Sequence, residues 1–143
     1  MAKVTLEPYI FFKGNCREAM EFYKSVFGGE LEIMDADPEQ MGDMPNKDWF
    51  KGKVMHCTLK GGDITFMASD SSIASDKAAK VELSLGGTDE DHMRTIFDKL
   101  ADGGKIEMPL EKQFWGDIFG RVTDQYGVQW MMNIGDSMDP GKK

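Results

Sequence analysis

The sequence predicts an α+β fold made of two βαβββ modules, because its second half repeats the plan of its first. Asn15 to Phe27 reads as a capped amphipathic helix, stopped by Gly28-Gly29 and followed by the short strand Glu30 to Met34. Later, Thr88 to Leu100 reads the same way, stopped by Gly103-Gly104 and followed by Lys105 to Met108. Each copy then continues into two apolar segments with turn residues between them, the pattern of a hairpin. Module one takes about residues 3–69, module two about 78–134 and a tail 135–143, together a single domain. A duplicated module places a pocket at its symmetric seam, and function is expected there.

Val4 to Phe12 is apolar and aromatic with a break at Glu7-Pro8, a first strand with proline near its start or at a sheet edge. Lys13-Gly14 turns the chain. Asn15 caps the first helix, with Glu18 in capping-box position. Cys16, Ala19, Met20, Tyr23, Val26 and Phe27 recur at helical spacing as one buried stripe. Gly28-Gly29 supplies the positive-φ stop. Asp35 to Gly52 is long and acidic, yet carries Met41, Met44, Trp49 and Phe50. It is either a lid or partner contact, or an ordinary loop folded over its own core. Lys53 to Lys60 and Asp63 to Ser69 form a hairpin around Gly61-Gly62, and Asp70 to Lys77 links the modules.

Ala78 to Leu85 opens the second module as a strand. Thr88 caps its helix, whose apolar face is Met93, Ile96, Phe97, Leu100 and Ala101. Lys105 to Leu110 is the next strand and Glu111 to Gly116 a loop. Ile118 to Asp124 and Val128 to Asn133 form the second hairpin, and the polar tail from Gly135 frays.

The 143 residues suffice for one domain with a sizeable core, and 41% hydrophobic against 29% charged residues is ordinary for a globular chain. A net charge of −8 without a basic run argues against nucleic acid, which needs a basic stripe. Cys16 and Cys57 lack metal-type spacing and suggest the reduced thiols of an intracellular protein, with a disulfide as the alternative. Met1-Ala2-Lys3-Val4 lacks the apolar region of a secretory signal, and no apolar run approaches the ~20 residues that span a bilayer. A cytoplasmic protein without membrane partners is expected. The twelve methionines fit a plastic core, with a few available to a pocket.

Three segments resemble a known group. They are Pro8 to Ala19, Val54-Met55-His56-Cys57, and Met108-Pro109-Leu110 through Phe114-Trp115-Gly116-Asp117 to Asp124-Gln125-Tyr126-Gly127-Val128-Gln129-Trp130. They look like the PhnB-like branch, labelled "3-demethylubiquinone 3-methyltransferase-like", of the vicinal oxygen chelate superfamily of glyoxalase I, bleomycin-resistance proteins and extradiol dioxygenases. The resemblance implies two curved sheets cradling a pocket, in a homodimer. Despite the methyltransferase label, the chain has no glycine-rich loop of the kind that binds S-adenosylmethionine at the start of a Rossmann unit.

Catalytic relatives hold a divalent cation among His and Glu side chains on four strands. Carried over by the helix and turn landmarks, those places fall on Pro8, about Phe66, Lys80 and Met131. Proline offers no donor atom, Phe is inert, Lys is cationic and Met is a soft ligand. A metal-free pocket is therefore expected, with no cofactor.

Strand alternation suggests what faces that pocket. If helices cover Met55, Cys57 and Leu59, then Val54, His56 and Thr58 face the other way. Val81, Leu83 and Leu85 packed under helix two would leave Lys80, Glu82 and Ser84 inward, and Trp130 and Met132 would leave Gln129 and Met131 inward. The expected ligand-binding residues are Phe66, Lys80, Trp115, Gln129 and Met131. His56 and Glu82 are the candidate catalytic pair, as acid and base of a lyase or isomerase, or, in the alternative with a metal, as the residues that hold a divalent cation in place of the four carried-over positions. Each has a plainer alternative: His56 as a hydrogen-bonded sheet residue, Glu82 with Lys80 as a salt bridge or solvated face. Phe114 and Trp115 either roof a ligand or enter a dimer interface. The leading expectation is a small-molecule-binding homodimer with no assigned turnover.

Overall fold

The stripe read from the first helix becomes its buried face. Cys16, Ala19, Met20, Tyr23 and Val26 are buried in α1 (Cys16–Phe27), in a computed structural model that describes residues 6–43, 46–61, 64–72 and 81–136. The chain divides into two compact units, Met1–Ser75 and Asp76–Lys143.

In the first unit, β1 (Tyr9–Phe12), β2 (Glu30–Asp35), β3 (Val54–Gly61) and β4 (Ile64–Asp70) form one sheet in the order β1-β4-β3-β2. β1 runs parallel to β4, and the other neighbours are antiparallel. α1 covers one face, burying Phe12, Cys57, Leu59, Phe66 and Ala68. The segment before β3 is not featureless: short 3-10 turns cover Pro38–Gln40 and Lys47–Phe50, and Phe50 is buried. Met44 lies outside the described residues.

In the second unit, β5 (Leu83–Gly87), β6 (Lys105–Lys112), β7 (Ile118–Thr123) and β8 (Gln129–Ile134) repeat the arrangement as β5-β8-β7-β6. The helix α2 (Glu90–Ala101) buries Met93, Ile96, Phe97 and Leu100, with Ala101 half-buried. Trp130, Met132 and Val122 are buried in the same unit.

Several boundaries depart from the sequence reading for identifiable reasons. β1 starts at Tyr9 rather than Val4, and Val4 itself is outside the described residues. Asn15 makes no side-chain cap; the buried carboxylate of Asp70 accepts from the Cys16 N–H instead, at 2.9 Å. The second helix is capped by Asp89, which accepts from the His92 N–H, not by Thr88. Gly61, expected in the turn, instead pairs with Ile64 inside the ladder, and Gly62 lies outside the described residues. β5 begins five residues later than expected at Leu83, and Val81 before it is 69% exposed rather than packed under α2. β6 runs on through Pro109 to Lys112, tolerable because it is an edge strand with free N–H positions.

A β-bulge changes one face assignment. Met34 pairs with His56 but Asp35 pairs with Val54, leaving Met55 as the extra residue. Val54 is therefore buried and Met55 exposed, the reverse of plain alternation. His56 and Thr58 keep the helix-free face.

Candidate functional site

On the helix-free face of the first sheet, the register sets a small cluster. Tyr9 and Thr58 both lie opposite Met67, one on each side of β4, and Met34 lies opposite His56. The Tyr9 hydroxyl is 3.1 Å from His56 Nδ1, and Thr58 Oγ1 is 3.3 Å from Nε2. Both ring nitrogens are thus engaged. If the Tyr9 hydroxyl donates to Nδ1, the Nε2–H donates to Thr58, which is the neutral imidazole held in one tautomer. The Tyr9 ring lies 5.7 Å from the imidazole and 5.0 Å from the Phe11 ring. Around this polar chain, Tyr9, Phe11, Met34 and Met55 are exposed. An imidazole fixed by two hydroxyls within an aromatic and thioether surface can offer one oriented polar contact to an otherwise apolar molecule.

The helix-free face of the second sheet is organised by an ion pair. Arg121 on β7 donates from Nε to Glu82 Oε1 at 3.0 Å and from Nη2 to Oε2 at 2.5 Å. This two-pronged pairing raises the Arg121 pKa above its ordinary value. Met131 sits between Ser84 and Arg121 in the ladder, and Gln129 lies opposite Thr123. Trp115, in the turn before β7, donates its indole N–H to Asn133 Oδ1 at 3.2 Å. Asn133 in turn donates to the buried Asp117 carboxylate at 2.8 Å. Trp115 is thereby anchored beside Phe119, while Phe114 next to it is 96% exposed.

These placements sort the expected site residues. Met131, Gln129, Glu82 and Trp115 belong to the helix-free side of the second unit, and His56 to that of the first. Phe66 does not: it is 2% exposed, edge-on to Tyr23 at 5.6 Å and Phe27 at 6.3 Å beneath α1. Its pairing with Leu59 puts it on the covered face, and Met67 takes the open one. Glu82 is paired with Arg121, and its expected partner Lys80 falls among the residues that are not described. Sequence reasoning passed over Arg121 and Tyr9, because each is brought to its partner only by strand register. His92 is exposed on α2.

The donor set does not fit a divalent cation at the carried-over places. Pro8 has no side-chain donor, Phe66 is buried hydrocarbon, and Met131 offers a thioether beside a guanidinium. Among the described residues no group of three or more His, Cys, Asp or Glu converges. Two hollows lie elsewhere, one on α2 around Thr95, Asp98 and Lys99, the other beside Asn46, Lys47 and Trp49. Both are open dishes, and neither is lined by His56 or Glu82.

The sequence profile of the family described as 3-demethylubiquinone-9 3-methyltransferase matches residues 4–133. Protein YjdN of Escherichia coli (strain K12) is 32% identical over 139 residues, spanning 90% of this chain and 94% of YjdN. Protein PA1353 from Pseudomonas aeruginosa superposes with a TM-score of 0.77 at 38% identity, covering 93% of this chain and 98% of that one. The PhnB protein from Bacillus cereus gives 0.70 at 28% identity, covering 92% and 100%. At the level of fold alone, a bleomycin-binding protein solved with bleomycin gives 0.61 at 14% identity, covering 94% and 100%.

Proposed function

The chain belongs to the 3-demethylubiquinone-9 3-methyltransferase-like family, the PhnB-like branch of the vicinal oxygen chelate superfamily, and from that premise we propose that it binds a small organic molecule without a metal. The observation that carries this reading is the first unit's open sheet face, where Tyr9, Phe11 and Met34 are exposed around an imidazole fixed by Tyr9 and Thr58. In the second unit, Trp115, Gln129, Met131 and the Glu82–Arg121 pair supply the ligand contacts. The fold supports such a use, since the bleomycin-binding protein shares it. His56 acts as an oriented hydrogen-bonding group, and Arg121 as the cation that a ligand carboxylate or phenolate approaches. The protein works as a cytoplasmic homodimer; among the described residues no helix is long and apolar enough to cross a membrane.

Native mass spectrometry with metal analysis of the purified protein tests the reading. The expected result is an organic compound released on denaturation, from a species of two 16.1 kDa chains. Thermal scans with Zn²⁺, Ni²⁺, Mn²⁺ and Fe²⁺ should leave the melting temperature essentially unchanged. A stoichiometric metal, or stabilisation by one of these ions through His56 or Glu82, defeats the metal-free assignment.

A further inference from the structure

Under the helix-covered face of the first sheet, two thiols from distant segments meet. Cys16 opens α1 and Cys57 lies within β3, 41 residues away, at 0% and 1% exposure. Their sulfurs are 3.5 Å apart, and Cys57 Sγ is also 3.4 Å from the Ala68 carbonyl. We propose that Cys16 and Cys57 form a reversible dithiol–disulfide site oxidised by a peroxide.

Geometry carries the proposal. A disulfide has an S–S bond of about 2.05 Å, so the sulfurs must close by roughly 1.5 Å. The backbone at Cys16 is fixed by its N–H bond to Asp70 Oδ1, and Val54 at the start of β3 is bonded to Oδ2 of the same carboxylate. Both cysteine-bearing segments are thus tied to one anchor, which keeps the thiols in register. The pair is also asymmetric. The hydrogen bond between them lowers the Cys57 pKa despite burial, whereas that bond and then burial raise the Cys16 pKa. Arg17 on α1 favours both thiolates and Asp70 on β4 opposes both. Cys57 is therefore the nucleophile and Cys16 the resolving thiol.

In the first step the Cys57 thiolate attacks one peroxide oxygen and the O–O bond breaks. With a proton from solvent the products are one water and a Cys57 sulfenic acid. The Cys16 sulfur then attacks the Cys57 sulfur, the S–O bond breaks, and a second water carries off the Cys16 proton. The two thiols lose two electrons and two protons, and hydrogen peroxide becomes two waters. Because both sulfurs are buried, reaction waits on opening of the first turn of α1.

The test is peptide mapping of the full chain after treatment with excess hydrogen peroxide, quenching and alkylation under denaturing conditions. The expected product is one peptide pair cross-linked through Cys16 and Cys57, restored to two alkylatable thiols by dithiothreitol. Cys16→Ser should stop at a Cys57 sulfenic acid trapped by dimedone, and Cys57→Ser should give no intramolecular cross-link. Two fully alkylated thiols, sulfinic or sulfonic acid at either residue, or disulfides only between chains would each overturn the proposal.

Discussion

Asp70 shows how one side chain organises a unit. Its carboxylate is buried and accepts three backbone N–H groups: Gly14 and Cys16 on Oδ1, Val54 on Oδ2, each at 2.9 Å. An amide at this position keeps one acceptor oxygen and turns a donor toward the Val54 N–H. Asp70→Asn should therefore cost about 2 kcal/mol, read as a lower urea midpoint with unchanged slope. Phe66 offers a second test at this scale. Filling the space between Tyr23 and Phe27, it should cost about 3–5 kcal/mol on truncation to Ala. If Phe66 instead lined an open surface, Phe66→Ala would leave the midpoint within about 0.5 kcal/mol of the parent.

At the scale of elements, the duplication is expressed most clearly in the paired glycines. Gly28 and Gly103 both take positive φ, +74° and +78°, at the helix ends. Gly29 lies against the Lys60 carbonyl, and Gly104 against that of Thr123, so the second glycine of each pair lets the chain pass its own hairpin. Gly104→Ala would bring a methyl to 2.9 Å from the Asp124 Cα, and should cost about 1–3 kcal/mol in a denaturant melt. The caps give a contrasting pair. Asp89→Ala should lose about 1 kcal/mol while Thr88→Ala stays within ~0.5 kcal/mol, because only Asp89 bonds the helix N–H group.

These elements also mark how far the sequence could be read. Helical stripes such as Met93-Ile96-Phe97-Leu100 survive small errors, because a 3.6-residue period repeats over three turns. Gly-Gly stops are equally local. Strand faces are less secure, since a shift of one residue inverts every side chain. That is how Phe66 was expected on the open face, and how the bulge at Met55 exchanged its place with Val54. The site's pairings were less legible still. Glu82 and Arg121 are 39 residues apart and meet only because β5 and β7 both flank β8. Tyr9 and His56 are 47 apart and meet across β4. A parallel β1–β4 pairing of the sheet, applied residue by residue, was the signal that could have found Tyr9.

For the whole molecule, the exposed apolar side chains are the feature that calls for partners. Tyr9, Phe11, Met34 and Met55 in the first unit, and Ile106, Met108, Phe114 and Trp115 in the second, are all exposed. Surfaces of this kind mark ligand or protein contacts. The proposed homodimer should give a scattering mass of twice 16.1 kDa at micromolar concentration, and a single-chain mass would contradict it. Phe114→Ser, at an exposed residue whose ring meets the edge of Trp115, should then weaken self-association with little effect on the monomer's stability if this loop enters the interface.

The methionines allow the most direct test of ligand binding, because they report from both sides of each sheet. The decisive measurement is a methyl NMR titration of methionine-labelled protein with a library of small organic molecules. A binding compound should move the Met34 and Met67 methyl signals, and Tyr9→Phe should weaken the effect. The buried Met20, Met93 and Met132 signals should stay in place. Binding that moves only those core signals, or that requires an added divalent cation, would contradict it.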